Sequence, residues 1–459
     1  MRLIKRDRRK KRVRKKVKEM GNRQRMQNQE LEVKVSIVMP VLNTIRYVRE
    51  CMDSLIHQTL KEIEILCVDA NSTDGTREIL QEYADRDSRV HIYTDSKGST
   101  GYANNLGMRY ARGEYLAIVE PDDFVALDMY ENLYKAAIEN DADVVRADYK
   151  VFFGETDERE YIDKAIASSD DYGKIHCPGK EQRLFKNDMS TWAGIYRLSF
   201  LHENHICHNE TPGAAYQDNG FWFLVMAHAE KIYYMPVSGY RYRMDNPNSS
   251  IHNRKKLFAI CDEYEFVAKR MRQEGIYDRF EEVYLWAKFI RYLSAYYRLD
   301  TSLKPEFADR FAREMQENFQ NMKSDKNIFS KGQQKLLCLL LESGEAFHGC
   351  IEQQRAIFCK LVDSKQTLIQ YGCGSDGFRL LNEIRRIGKL DRIECLCDSN
   401  PRLWRTEIFD KTVISFDEIK DKYPEARYLI ASINYGDEIK EYLIGRGIKR
   451  NRVFIMSFC

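Results

Sequence analysis

From residue 33 the chain alternates short apolar runs, rich in β-branched residues, with amphipathic stretches of ordinary helix length. The apolar runs are VKVSIVMP (33–40), EIEILCVD (62–69), RVHIYTD (89–95), EYLAIVE (114–120) and ADVVRAD (142–148). Strands that are apolar throughout are typical of sheets buried on both faces. The intervening stretches 44–59, 76–87, 101–112 and 127–140 have helical periodicity. This alternation predicts an α/β fold in which helices cover both faces of a mostly parallel sheet.

Polar segments follow three of these predicted strands. They are PVLN (40–43), DANSTDGT (69–76) and EPDDF (120–124). Open sheets of this kind bind ligands beyond the carboxyl ends of their strands, so the three segments predict one shared crevice. Three carboxylates crowd into the last segment, and burying such charges unpaired costs several kcal/mol. We therefore expect this segment either to bind a cation or to form a loop that faces solvent.

The rest of the chain suggests further domains, since 459 residues allow about three. An aromatic-rich region extends to about residue 250, and charged, helix-periodic sequence follows it. Near residue 364 the strand and helix pattern returns around the glycine motif GCGSDG (372–377). We predict a basic extension, a first α/β domain, a helical segment and a small Rossmann-like α/β domain. Their expected limits are 1–32, 33–250, 251–363 and 364–459.

The amino-terminal residues 1–28 are strongly basic, with fourteen Lys and Arg against Asp7 and Glu19. The whole chain has a net formal charge of only +3, so the remainder is acidic. Such a segment either extends into solvent or contacts an anionic membrane. Aromatic residues are not interleaved with the cations, which argues against nucleic acid as a partner. No apolar run reaches membrane-span length, and the twelve cysteines form no CxxC pair, so we expect a cytoplasmic protein, peripheral at the inner membrane face.

Three ordered blocks resemble family 2 of the inverting, nucleotide-sugar-dependent glycosyltransferases, which have the GT-A fold. The blocks are VSIVMPVLNTIRYVRECMDSLIHQTLKEIEILCVDANSTDGT, GSTGYANNLGMRYARGEYLAIVEPDDF and QDNGFWF, and the resemblance covers about residues 33–250. It implies transfer of a sugar, expected from a UDP-sugar donor, to a surface glycan such as lipopolysaccharide or capsule. The processive signature QxxRW is absent from the corresponding late segment YRYRMDNPNSS, which favours one or a few additions per acceptor.

The resemblance also implies the catalytic groups. EPDD matches the family's DxD region, which implies Mg²⁺ or Mn²⁺ held by Asp122 and Asp123. Glu120 stands where the family has its first aspartate, and with Asp122 it is assigned to donor binding. The family's general base lies in an ED pair, which corresponds here to Gln217 and Asp218, so Asp218 is the expected base. Asp218 has an alternative role as a helix cap.

The same resemblance assigns donor and acceptor contacts. The donor contacts it implies, besides Glu120 and Asp122, are Pro40, Val41, Asn43, Asp69, Gly101, Asn104 and Arg243. Asp69 would accept a hydrogen bond from a uracil-type imide, although Ala70 replaces the usual second acidic residue. Trp192 and Trp222 are the expected acceptor contacts, by stacking on sugar faces, with core packing as the alternative.

Two other readings of the whole chain remain open at this point. The departures Ala70, Glu120 and Gln217 fit a catalytically silent scaffold that binds a nucleotide sugar. The motif GCGSDG, with Asp398 after the next strand, fits a bifunctional enzyme with a nicotinamide-dependent domain. That domain could instead bind a sugar nucleotide, or serve only structure or partner docking. The segment HENHICH (202–208) lacks zinc-binding spacing, so we expect no metal there.

Overall fold

The computed structural model describes residues 32–248, 256–321 and 328–456. Contacts divide the chain into two compact units, unit 1 (1–246) and unit 2 (247–459). The predicted membrane contact of residues 1–28 lies outside the described residues. Among the helices that are described, none combines the length and the hydropathy of a membrane span.

Unit 1 is built from strands and helices that largely alternate along the chain. Its strands are β1 (Val35–Val41), β2 (Ile63–Asp69), β3 (Val90–Thr94), β4 (Tyr115–Ile118), β5 (Phe124–Val125), β6 (Val144–Phe153), β7 (Glu160–Lys164), β8 (Ile175–His176), β9 (Gly194–Arg197) and β10 (Ile232–Arg243). Its helices are α1 (Val48–Ile56), α2 (Thr76–Arg86), α3 (Thr100–Tyr110), α4 (Met129–Glu139), α5 (Leu198–Glu203) and α6 (Gln217–His228). The five strands and four helices predicted for residues 33–148 are confirmed.

The sheet of unit 1 has the order β3-β2-β1-β4-β9-β6-β10-β5, with β7 beside β6 and β8 beside β10. The strands β3, β2, β1 and β4 are parallel, and β9 runs antiparallel to both β4 and β6. A parallel neighbour needs a crossover connection, usually a helix, and no α-helix lies between β6 and β9. The predicted mostly parallel sheet is therefore mixed beyond β4.

The core of unit 1 follows from strands that are buried on both faces. Every residue of β1, β2 and β4 is buried, including Glu64 in the middle of β2. The carboxylate of Glu64 accepts hydrogen bonds from Ser36 Oγ at 2.6 Å and from the Arg112 backbone N–H at 2.7 Å. These partners offset the cost of burying the charge. They also join the end of α3 to the sheet, which fixes the strands whose carboxyl ends form the predicted crevice.

Unit 2 begins with helices and ends with an α/β region. The helices are α7 (Ala259–Gln273), α8 (Tyr277–Arg298), α9 (Lys304–Asn321), α10 (Lys331–Glu342) and α11 (Gly344–Val362). The α/β region contains β11 (Leu368–Tyr371), α12 (Ser375–Arg386), β12 (Ile393–Cys397), β13 (Glu407–Ile408), β14 (Lys411–Ile414), α13 (Phe416–Lys422), β15 (Arg427–Ile430), α14 (Gly436–Gly445) and β16 (Val453–Ile455).

The sheet of unit 2 has the order β13-β14-β12-β11-β15-β16 and is parallel except for the β13–β14 hairpin. Helix α10 packs closely on the loop after β15. A Cβ atom on Gly332 would lie 1.9 Å from the carbonyl oxygen of Ile433, so only glycine fits there. Gln333 Nε2 donates to Asn434 Oδ1 at 2.6 Å beside this contact. The helices and the sheet of unit 2 thus share one packed boundary.

Candidate active site

The loops after β1 and β2 are joined by side-chain hydrogen bonds. Asn43, with φ at 51°, donates its backbone N–H to Ser72 Oγ at 2.9 Å and accepts from the Thr73 N–H through Oδ1 at 2.8 Å. Pro40 and Val41 are paired with β2 and buried, at the carboxyl end of β1. The two loops therefore form one wall at the carboxyl edge of the sheet.

Asp69 closes β2 directly below this wall, and its side chain is fully buried. Its Oδ1 accepts from the Ser72 N–H at 3.1 Å, and its Oδ2 accepts from Arg77 Nη1 at 2.9 Å. The Arg77 side chain is 42% exposed. The carboxylate predicted to recognise the nucleobase is thus paired with an arginine that has room to move.

The acidic segment after β4 is anchored to β10 through Asp123. Tyr240 donates its hydroxyl to Asp123 Oδ2 at 2.7 Å, and the Arg243 N–H donates to Oδ1 at 2.7 Å. Asp123 is 1% exposed, and burial together with the charge of Asp122 raises its pKa well above the usual range. Both carboxylate oxygens of Asp123 thus accept hydrogen bonds from β10, while its metal binding stays a prediction.

Arg243 is a second support of this loop. Its guanidinium donates to the carbonyl oxygen of Asp122 at 2.9 Å and to Glu50 Oε2 at 3.0 Å, and its side chain is 2% exposed. Its cationic group therefore holds the acidic loop against β10, and its donor contact stays a prediction.

The remaining carboxylates of the loop, Glu120 and Asp122, are less constrained. Asp122 is partly buried and accepts from Asn246 Nδ2 at 2.7 Å. Burial, followed by the charges of Asp122 and Asp218, raises the pKa of Glu120 to about 8. Since Coulomb interactions decay with distance, this effect indicates that the predicted base lies near the predicted donor carboxylates.

Asp218 lies in the first turn of α6, and its side chain is exposed. Tyr216, with φ at 64°, makes the sharp turn into the helix. The amide of Asn219 donates to Asp218 Oδ1 at 2.8 Å, which holds the carboxylate in place. Asp218 does not cap the helix, because α6 has no side-chain cap. The carboxylate is therefore free to serve an incoming hydroxyl.

Hydrogen bonds join the segments 95–101 and 209–217 at the edge of this crevice. Ser99 Oγ donates to the Thr211 carbonyl at 2.7 Å, and the Gly213 N–H donates to the Gly98 carbonyl at 2.8 Å. Asp95, which is buried, accepts the backbone N–H groups of residues 97, 98 and 99. Sequence reasoning missed Asp95, although an Asp before a Ser–Lys–Gly turn at the end of a strand is a signal for such a loop.

Gly101 and Asn104 lie on the first two turns of α3, behind the hydrogen bonds that join these two segments. A Cβ atom on Gly101 would lie 1.9 Å from the Asn209 carbonyl oxygen, so Gly101 faces protein and not a donor, contrary to its prediction. Asn104 is 5% exposed, and its Oδ1 has no hydrogen-bond partner among the described residues. Its donor contact stays a prediction. Asn105 was missed: its amide exchanges hydrogen bonds with the backbone of His208 at 2.9 Å.

Comparison with known proteins bears on this part of the molecule. Residues 36–199 match the family model described as Glycosyl transferase family 2. This segment is similar to glycosyltransferase family 2. The uncharacterized glycosyltransferase EpsJ of Bacillus subtilis strain 168 is 30% identical over 221 residues, which are 47% of this chain and 62% of EpsJ. The glycosyltransferase GlyG of Streptococcus pneumoniae serotype 4 is 41% identical over 116 residues, covering 25% of this chain and 38% of GlyG.

The chain thus spans less than two thirds of the length of either relative. Among solved structures, S. aureus TarS 1–349 in complex with UDP aligns with a TM-score of 0.52 at 17% identity, covering 71% of this chain and 92% of that one. Unit 1 therefore has a GT-A-like fold, as the sequence predicted.

The two tryptophans of unit 1 have different environments. Trp192 is partly buried and stacks on Tyr240, with ring centroids 4.3 Å apart, and on Tyr242 at 4.9 Å. Trp222 is 2% exposed, and the guanidinium of the buried Arg146 lies 4.3 Å from its ring centroid. Trp222 is thus a core residue, which contradicts its predicted acceptor contact. Trp192 keeps a position that a sugar could reach.

No metal cluster is formed by side chains alone in the described ranges. Within residues 32–248, 256–321 and 328–456, no three His, Cys, Asp or Glu side chains are arranged to hold an ion. His208 is 2% exposed and stacks on Phe221 with centroids 4.2 Å apart. Burial lowers the pKa of His208 to about 3, so the ring is neutral.

The glycine motif of unit 2 forms a closed loop. Gln370, 1% exposed, donates its amide to the Gly372 carbonyl at 3.1 Å and the Gly377 carbonyl at 2.8 Å. Asp398 accepts from the Cys373 N–H at 2.8 Å and from the Asn400 N–H at 2.8 Å. One oxygen of Asp398 thus binds the glycine loop, and the other binds the loop after β12. The ligand of this region stays an open prediction.

Proposed function

We propose that this protein is a metal-dependent inverting glycosyltransferase that moves a sugar from a nucleotide-sugar donor, expected to be a UDP-sugar, to a surface glycan such as lipopolysaccharide or capsule. The observation that carries the proposal is the electrostatic coupling of Glu120 with Asp122 and Asp218. It brings the acidic loop and the exposed carboxylate of α6 into one crevice of a family 2 unit. An acceptor hydroxyl and a donor leaving group need these two kinds of site side by side.

Asp218 supplies the base in this proposal. As the acceptor oxygen attacks the anomeric carbon from the face opposite the phosphate, its proton passes to the Asp218 carboxylate, and the nucleoside diphosphate leaves. Exposure leaves the carboxylate accessible to an acceptor, and the hydrogen bond from Asn219 orients it.

Asp122 is the residue that fits a divalent cation, with Glu120 beside it. Mg²⁺ typically binds one or two protein carboxylates together with substrate phosphates, so a site of two carboxylates is enough. Such an ion, when bound, offsets the negative charge that develops on the leaving diphosphate. Asp123 and Arg243 hold the loop in place for this binding.

Asp69 and Asn43 form the nucleobase end of the proposed site. A uracil imide would donate to Asp69 once Arg77 turns away, and the exposed position of Arg77 permits this movement. The UDP bound to the structural neighbour TarS agrees with a uridine donor. Trp192 would stack on the sugar of the acceptor. The basic residues 1–28 would hold the protein near a lipid-linked acceptor, and vesicle sedimentation of a chain lacking them tests this contact.

The test is donor hydrolysis by the purified full chain. We would incubate it with a panel of nucleotide sugars, with Mn²⁺ or with chelator, and measure the released nucleotide. Release from one donor that depends on the cation, and that falls in Asp122→Asn, supports the proposal and names the sugar. Cation-independent release would remove the metal from it. Nucleotide binding without turnover, with surface glycan fragments added as acceptors, would favour the scaffold instead.

A further inference from the structure

Gln217 occupies the position where the family resemblance places a glutamate, and its side chain is 3% exposed. Every polar atom of the amide is used. Oε1 accepts from the Ala215 N–H at 2.5 Å, while Nε2 lies within hydrogen-bond distance of the Thr211 carbonyl at 3.1 Å, Thr211 Oγ1 at 3.1 Å and the Gly213 carbonyl at 2.9 Å. One side chain thus binds the whole loop from Thr211 to Ala215.

The chemistry of these contacts requires an amide. Carbonyl oxygens only accept hydrogen bonds, and an ionised carboxylate also only accepts. A glutamate at this position would therefore set a negative oxygen against two carbonyl oxygens in a buried site, at a cost of the kind that unsatisfied buried groups carry. The amide is thus matched to the loop that it holds.

The loop is also connected to the donor side of the crevice. The Thr100 N–H donates to the Gly213 carbonyl at 3.1 Å, and Ser99 Oγ donates to the Thr211 carbonyl at 2.7 Å. At its other end the loop leads through Tyr216, in the left-handed region, directly into Asp218. A shift of residues 211–215 would consequently move the start of α6 and the carboxylate on it.

We propose that Gln217 is a positioning residue, whose amide fixes the loop 211–215 and thereby sets the place of the Asp218 carboxylate. This inference rests on the proposed function, since it assumes that Asp218 takes the acceptor proton. A displacement on the order of 1 Å at a reacting group reduces the rate about 100-fold. Substrate binding, which involves other residues, is affected much less.

The experiment compares Gln217→Glu and Gln217→Met with the wild-type full chain, using the donor identified by the panel. We expect kcat to fall about 100-fold with the donor KM nearly unchanged. The ratio of Gln217→Glu to wild-type kcat should rise as the pH falls, because a protonated carboxyl regains one donor. Gln370→Glu in unit 2 is the matched control. It changes a buried amide that also holds two carbonyls, and should leave kcat unchanged.

Wild-type kcat in Gln217→Glu at all pH values would overturn the inference. Equal losses of kcat in Gln217→Glu and Gln370→Glu would overturn it too, since the effect would then be general destabilisation. If neither Gln217 variant folds, Ser99→Ala removes the other side-chain bond to Thr211, and an unchanged kcat there has the same meaning. Wild-type transfer by Asp218→Asn would instead refute the catalytic proposal, whatever the Gln217 variants show.

Discussion

The carboxyl edges of the two sheets carry similar residues in different states. In unit 2, both oxygens of Asp398 bind backbone N–H groups of the glycine loop and its neighbour. In unit 1, the Asp218 side chain is exposed, and its charge contributes to raising the pKa of Glu120. Asp398 thus stabilises loop backbone, whereas Asp218 stays exposed near other carboxylates, at an electrostatic cost.

This difference teaches how to separate a binding site from a well-formed loop. A glycine motif after a strand suggests a nucleotide site in unit 2, yet the amide nitrogen of Gln370 and the carboxylate of Asp398 already bind loop backbone there. Buried polar groups that are paired in this way contribute to rigidity and have less left for a ligand. A carboxyl group whose pKa is raised by burial and by neighbouring carboxylates, such as Glu120 in unit 1, is typical of sites that bind or react. Four predictions test this contrast.

The largest expected effect is on transfer by Asp218→Asn. Loss of the base should lower kcat by about 10²–10⁴-fold with the fold retained, because the amide cannot accept the acceptor proton. The measurement is nucleotide release with donor and acceptor present, alongside circular dichroism. Asp398→Asn is the matched change in unit 2 and should leave transfer unchanged. Equal losses of kcat in Asp218→Asn and Asp398→Asn would show that the carboxylates at the two sheet edges do not differ in function.

Next comes the pair of tryptophans within unit 1. Trp222→Ala should lower the free energy of unfolding by about 3–5 kcal/mol, because it empties a core position and exposes the buried Arg146. Trp192→Ala should lower acceptor-dependent transfer and raise the acceptor KM, with a smaller loss of stability. Chemical denaturation and acceptor titration separate the two effects. A strong acceptor defect in a stable Trp222→Ala protein would restore the sequence prediction that its burial contradicts.

A third prediction concerns the loop of unit 2. Asp398→Ala removes the acceptor for the Cys373 and Asn400 N–H groups, so it should destabilise unit 2 by about 1–3 kcal/mol. Denaturation of the full chain, followed by hydrogen exchange at residues 372–377, would locate the loss. Added nucleotides and dinucleotides should not protect the loop in the wild-type protein. Protection by any of them would show that the closed loop is a binding site after all.

Much of the fold could be predicted from the sequence, because strands that are buried on both faces are recognisable as short apolar runs. Hydrophobic runs located β1 to β4 and β6, and the ends of these strands located the crevice. What it could not indicate was the direction of β9 or the partners of individual polar groups. Asp123 and Arg243 have the residue types of a metal and phosphate site, but contacts more than a hundred positions apart turned them inward. The residue type indicates what a side chain can bind, while tertiary contacts decide whether it binds a ligand or another part of the protein.

The smallest expected effect concerns His208, a polar group of unit 1 that lies in the core. Its ring is buried against Phe221, and its Nδ1 has no partner among the described residues. Because burial lowers its pKa to about 3, from an ordinary value near 6.5, the unfolded chain binds a proton at higher pH than the folded one. Stability is therefore fully present above pH 6.5 and is lost as the pH falls toward 3.

At pH 5.5 the loss should be about 1.4 kcal/mol relative to neutral pH. His208→Phe keeps an aromatic ring in the stack and removes the titrating group, so its unfolding free energy should fall less between pH 7.5 and 5.5. Urea denaturation at the two pH values measures the difference, with His57→Gln at an exposed histidine as control. An equal acid loss in wild type and His208→Phe would mean that the ring is protonated within the fold. A buried side chain of unit 1 would then also be available for protonation. Exposure would no longer distinguish the reactive groups of its crevice from the polar groups of its core.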